Sequence, residues 1–168
     1  MGILRCTAKY RKAQKLPERL PEPPMPSGGA LGDWYADNLN LYRLRLFHFH
    51  SSRARLSVII PMAPTRTAEK RFIVTPRDLM QTLGVPQWLC DKEIAATLPL
   101  EHARTTDRSV LGTMRDHAQA VKTDLYLGLA NSLADVMVRL ADTPTTVLEH
   151  IFPERQMHHL LKTAFEHA

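Results

Sequence analysis

A chain of 168 residues with 44% apolar and 23% charged side chains has the length and composition of one globular domain, which excludes a wholly disordered or fibrous protein. Its longest strongly apolar stretch, Leu56 to Pro64, is about half the ~18 residues a membrane span needs. The formal net charge of +5 is unevenly placed: residues 1–80 hold 14 Lys and Arg against 6 Asp and Glu, and residues 81–168 hold 8 against 11.

Met1 to Tyr10 is too short and too charged for a secretory signal. The myristoylation pattern fails at Cys6, where Ser or Thr is required. The expectation is a soluble, cytoplasmic protein with no membrane partner. Cys6 and Cys90 form no CxxC pair, so both read as reduced thiols and not as a disulfide framework or a thiolate zinc site.

In chain order, Ile3 to Lys9 alternates as a short strand. Leu16 to Gly29 contains Pro17, Pro21, Pro23, Pro24 and Pro26 followed by Ser27, Gly28 and Gly29, which reads as a linker or surface-draped loop. Asp33 is expected to cap a short helix carrying Trp34, Tyr35 and Leu39. Leu41 to His50 and Arg53 to Pro61 then form a β-hairpin across Ser51 and Ser52. With those two as the turn, His50 faces Arg53 and His48 faces Arg55. Phe47, Phe49, Leu56, Val58 and Ile60 then line a core face. A tip of like charges either splays into water or meets an anion.

Phe72-Ile73-Val74 reads as a third strand, followed by a helix capped by Thr75 with Pro76 at its first position and ended by Gly84. Gln87 to Leu98 is a second helix. Beyond Asp107 the pattern is helical, with Val110, Met114, His117 and Val121 on one stripe. Leu125 to Ala141 continues as a helix with an expected Asp135–Arg139 pair. Thr143-Pro144 breaks it, and two short helices follow over Thr145 to Phe152 and Glu154 to Glu166. Strands first and helices later give an α+β fold: a small antiparallel sheet, made of the N-terminal strand and the central hairpin, packed by C-terminal helices. Residues 1–168 read as a single domain, with 16–29 a Pro/Gly-rich loop and 122–168 a helical C-terminal extension.

Three blocks in this order, Arg5-Cys6-Thr7-Ala8-Lys9, Leu31-Gly32-Asp33-Trp34-Tyr35-Ala36-Asp37-Asn38-Leu39 and Thr106-Asp107-Arg108-Ser109-Val110-Leu111-Gly112-Thr113-Met114-Arg115-Asp116, resemble a family of uncharacterised bacterial proteins, a domain of unknown function. Its pattern has a W-[YH]-A-N block and an N-R-S-V-L-G-S-M-N-[DE] block. The resemblance spans Met1 to Val121. This chain departs from the pattern at Asp37, which precedes Asn38, and at Asp107 and Arg115, which stand where the family has Asn. The resemblance implies continuity of fold and a set of residues to inspect, and no reaction.

Arg108 and Ser109 lie at a helix start, where free backbone N–H groups and the helix dipole favour an anion. Arg53, Arg55, His48 and His50 gather at the hairpin tip, and Trp34 offers either a stacking surface or an anchor for its loop. His48 and His50 share a strand face, but no third ligand accompanies them and arginines oppose a cation, so no metal is assigned. His158 and His159 point about 100° apart on a helix and cannot chelate as a neighbouring pair. His117 reads as a core histidine. No Walker loop, dinucleotide fingerprint, HExxH or zinc-finger spacing is present, and no cofactor is expected. The preferred reading is a binding module without catalysis that contacts nucleic acid or another polyanion, or an acidic partner, through the basic hairpin. Beside it stand an enzyme of unknown reaction with a pocket around Asp33, Arg108, Ser109 and His117, and a protein-interaction subunit, of antitoxin or defence type, that joins a partner or a second copy through its C-terminal helices.

Overall fold

In the computed structural model, which describes residues 1–166, the alternation at the front of the chain builds β1 (Gly2–Cys6), buried along its whole length. Thr7 caps α1 (Ala8–Ala13) by accepting a bond from the Tyr10 amide. The proline-rich segment then carries the chain back to the start of β2 (Trp34–Leu41). That return makes β2 run parallel to β1, as a crossover of this length allows. A tight turn at Tyr42-Arg43 leads into β3 (Leu44–Ser51), and a five-residue loop joins it to β4 (Ser57–Pro61). After a short 3-10 turn come α2 (Ala68–Thr82), α3 (Gln87–Thr97), β5 (Leu100–Arg104), α4 (Arg108–Tyr126), α5 (Leu133–Ala141) and α6 (Pro153–Phe165). No helix among the described residues is long and apolar enough to cross a membrane.

The fold is α+β, and its sheet is mixed, not antiparallel. The strand order is β4-β3-β2-β1-β5, with β1 parallel to both β2 and β5. β5 was not anticipated because Leu100-Glu101-His102-Ala103-Arg104 has one fully buried side chain, Ala103, and so carries little apolar signal. Several other expectations are corrected. Trp34 to Leu39 is strand, not helix, and Asp33 pairs with Arg5 instead of capping. Phe72-Ile73-Val74 lies inside α2, whose buried Ala68, Phe72, Pro76, Leu79 and Met80 follow the helical period; reading Pro76 as a helix start concealed that stripe. Residues 145–152 form turns. The long helix expected to start at Leu125 is interrupted, with α4 ending at Tyr126 and Gly128 adopting φ +66°. Ser132 then caps α5. Asp135 bonds the Asn131 amide, so Arg139 pairs with Asp124 at 3.0 Å instead.

Strand alternation divides the sheet chemically. Leu4, Cys6, Trp34, Ala36, Phe47, Phe49, Val58 and Ile60 belong to one hydrophobic cluster with Tyr10 and Phe72. There the Phe49 and Phe72 rings stack at 4.1 Å. On the opposite face the register aligns Arg5, Tyr35, His50 and Ser57 in one row across four strands. α4 crosses this polar row, and α5 and α6 extend the core with Val136, Met137, Leu140, Met157 and Leu161.

Candidate nucleic-acid interface

The expected tip at Ser51-Ser52 is replaced by a longer loop, so the partners differ from expectation. His50 pairs with Ser57 and His48 with Ile59. Ser51 closes the loop through its amide to the Leu56 carbonyl, its carbonyl to the Arg55 amide, and its hydroxyl to the Leu56 amide. His48 and His50 are therefore buried beneath α4 and form no exposed tip. Both imidazoles and His117 converge on one hydroxyl: Ser57 Oγ lies 2.9 Å from His48 Nε2, 2.9 Å from His50 Nδ1 and 2.8 Å from His117 Nδ1. His50 Nε2 also meets Thr113 Oγ1 at 3.1 Å. Burial, reinforced by His117, pushes His48 down to about 3. Burial also takes His117 down to about 4 against the pull of Asp116, and drives His50 well below the ordinary imidazole range. The three rings are neutral, and one hydroxyl, a single donor with two acceptor sites, can serve all three.

Arg55 is 7% exposed. Among the described residues its one side-chain hydrogen bond runs from Nη2 to Ser109 Oγ at 3.4 Å, and Nε and Nη1 have no partner. Burial pushes its guanidinium down, opposed by the charges of Asp107 and Tyr35. Arg53, Arg108 and Ser109 are exposed around it. The helix amides expected there for an anion are occupied: Asp107 Oδ1 accepts from Ser109 N at 2.8 Å and Val110 N at 3.3 Å. Trp34 packs edge-on against Phe72 at 5.2 Å and is buried, which leaves its ring no open face for a base. Asp33, Arg108 and His117 do not converge. Asp33 is held by Arg5, and nine residues of α4 put ~13.5 Å of helix axis between Arg108 and His117.

The open basic surface lies at the other end of β3. Two grooves meet at Asn40. One, of about 480 Å³, is lined by Asn40, Tyr42, Lys122 and Tyr126 among others; the second, of about 410 Å³, by Lys9, Lys12, Asn40 and Arg45 among others. Neither lining contains a carboxylate. Among the described residues, Lys9, Lys12, Arg45 and Lys122 form no ion pair. Tyr42 and Tyr126 are 85% and 73% exposed, and their rings face one another with centroids 6.5 Å apart. Tyr42 holds φ +51°, a left-handed conformation that is uncommon for a bulky residue. These residues were missed because Tyr10 to Lys15 supports no element by pattern, and because the pairing of Tyr42 with Tyr126 joins a strand turn to a helix 84 positions away.

A family model described as a domain of unknown function, DUF6933, matches residues 3–156, and so reaches beyond Val121 into α5 and the start of α6. No curated protein and no solved structure matches the chain.

Proposed function

The chain belongs to the DUF6933 family, a domain of unknown function, so its role has to be read from its own surface, and we propose that it binds single-stranded nucleic acid along the two grooves that meet at Asn40. The observation that carries this reading is the composition of those linings: four unpaired cations, two exposed stacked tyrosines and no carboxylate. Binding of single strands needs those two elements together, a positive track for the phosphates and aromatic rings on which bases stack. Lys9 and Lys12 on α1, Arg45 on β3 and Lys122 on α4 supply the track, and Tyr42 and Tyr126 supply the rings. The positive front half of the chain thus acts through the β2–β3 turn and α1. The β3–β4 end of the hairpin, where His48 and His50 on β3 and Arg55 in the loop are committed to the interior, takes no part.

The test is fluorescence anisotropy of labelled single-stranded RNA and DNA oligonucleotides titrated with the protein. Four phosphate contacts give a log–log salt slope of roughly −3 for a single strand, which is about a 50-fold loss of affinity between 50 and 200 mM salt. Arg45→Ala and Lys122→Ala should each flatten that slope by about one. No binding at low salt, or binding indifferent to both substitutions, overturns the reading.

A further inference from the structure

Apart from these grooves, α6 and the loop before it gather three metal-binding side chains. Glu149 and His150 stand at the end of the 145–152 turns and His159 lies on α6. One ligand atom from each lies within 4.8 Å of the other two. The imidazoles of His150 and His159 approach to 4.4 Å between centroids, tilted by 51°. Neither a hydrogen bond nor an ion pair among the described residues joins the three groups. The Nε2 of His150 is buried and has no partner. Three donors therefore converge with no mutual bond to account for it, and one of the three residues, His150, carries a buried ring nitrogen without a partner.

The backbone that presents them is held in place. The His150 amide donates to Oε1 of Gln156 at 3.1 Å, and Gln156 is itself buried. The Thr145 amide reaches the Ile151 carbonyl at 2.7 Å and closes the loop. Pro153 at the first position of α6 starts the helix whose second turn carries His159. Fixed backbone and free side-chain ends are what a three-ligand site needs, because the ligands close on an ion by side-chain rotation alone. Bonds of about 2.1 Å require donor atoms roughly 3.4 Å apart. Glu149 and His159 are exposed and free to rotate that far. Two imidazoles and a carboxylate suit zinc and neighbouring divalent transition metals, not calcium or magnesium, which prefer oxygen.

The geometry points to a zinc-class divalent metal site formed by Glu149, His150 and His159, with its remaining coordination position open to solvent. His159 on α6 falls after residue 156, where the family match ends, whereas Glu149 and His150 lie within the match in the loop before that helix. His158, its neighbour, turns away and bonds the Leu83 carbonyl at 2.8 Å.

The experiment uses the untagged 168-residue chain and zinc chloride alone, titrated in competition with a chromophoric chelator, with Co²⁺ as a spectroscopic probe. The expected result is one equivalent of zinc, and a Co²⁺ ligand-field spectrum that zinc abolishes. His159→Gln and Glu149→Gln, both at exposed positions and checked for unchanged far-UV circular dichroism, should each weaken binding tenfold or more. Absence of a saturable first equivalent overturns the site, and so does zinc affinity unchanged in His159→Gln. Retention of oligonucleotide binding in His159→Gln separates this site from the grooves at Asn40.

Discussion

Oγ of Ser57 on β4 lies 2.8 Å from Nδ1 of His117 on α4, and through that contact the polar face of the sheet is bonded to the helix above it. The same hydroxyl serves His48 and His50, so its removal orphans three imidazole nitrogens in one place. A buried polar group left without a partner costs about 1–3 kcal/mol. Ser57→Ala should therefore destabilise the fold by about 3 kcal/mol or more in urea unfolding, with oligonucleotide affinity of the folded fraction unaltered. A loss below about 1 kcal/mol would mean that the hydroxyl is not the hub of the network.

The same three imidazoles make the fold sensitive to acid. Their folded values lie below the ordinary histidine value, at about 3 for His48 and about 4 for His117, with His50 also well down. Below pH 6.5 the unfolded chain takes up protons that the native state refuses, so stability falls as pH falls, by ~1.4 kcal/mol per pH unit for each ring. Three rings together give a loss of the order of 5 kcal/mol between pH 7 and pH 5, a large part of a typical domain's stability. His102 has the opposite sign. Its bond to Glu69 raises it, so its contribution is present below pH 6.5 and is lost as pH rises through its raised value. Urea midpoints at pH 7, 6 and 5 measure the slope, and a flat profile over that range contradicts a neutral buried cluster.

The chemistry of the elements was more legible than their partners. The helix start after Asp107, the stripe Val110, Met114, His117 and Val121, and the apolar set Phe47, Phe49, Val58 and Ile60 follow from local spacing, and the structure has all of them. The hairpin register does not, because Ser51 closes a five-residue loop through its side chain, and no dipeptide signal announces that. Burial of the sheet's polar face was equally hidden, while its apolar face is the core as expected. A row of polar residues reads as solvent-facing until α4, more than fifty positions later, covers it. The Tyr42–Tyr126 pair and the Glu149–His150–His159 group rest on contacts between elements, which periodicity within one element cannot reveal. Arg108 and Arg53, by contrast, are exposed as basic surface residues are expected to be, on a side of the molecule away from the grooves.

Arg55 makes a different prediction. A buried guanidinium with two unpartnered nitrogens and no carboxylate bonded to it is a net cost to the fold, since an apolar residue of similar volume often does as well or better in such a place. Arg55→Met should leave stability unchanged or raise it by about 1–2 kcal/mol. Because Arg55 is among the charges that hold His50 and His117 down, the substitution should also let both rings rise and move acid unfolding to lower pH. Thermal and urea unfolding at pH 7 and pH 5 check both parts. Destabilisation by more than about 1 kcal/mol at neutral pH would show that the guanidinium is compensated in the native state after all.

Tyr42 separates binding from folding most cleanly. It stands at the β2–β3 turn with φ +51°, where a residue other than glycine carries a strain of about 1 kcal/mol. With 85% of its surface open to solvent, little buried contact offsets that strain. Tyr42→Gly relieves it, at some cost in unfolded-state entropy, so stability should stay level or rise by up to about 1 kcal/mol. Base stacking on an aromatic ring contributes about 1–3 kcal/mol per base. The same substitution should therefore weaken oligonucleotide binding about tenfold or more while leaving the salt slope in place, since no cation is lost. Anisotropy titrations at two salt concentrations, paired with urea unfolding of the same samples, read both quantities. Unchanged affinity would remove Tyr42 from the binding surface, and lost stability would mean that the ring packs where its exposure says it does not.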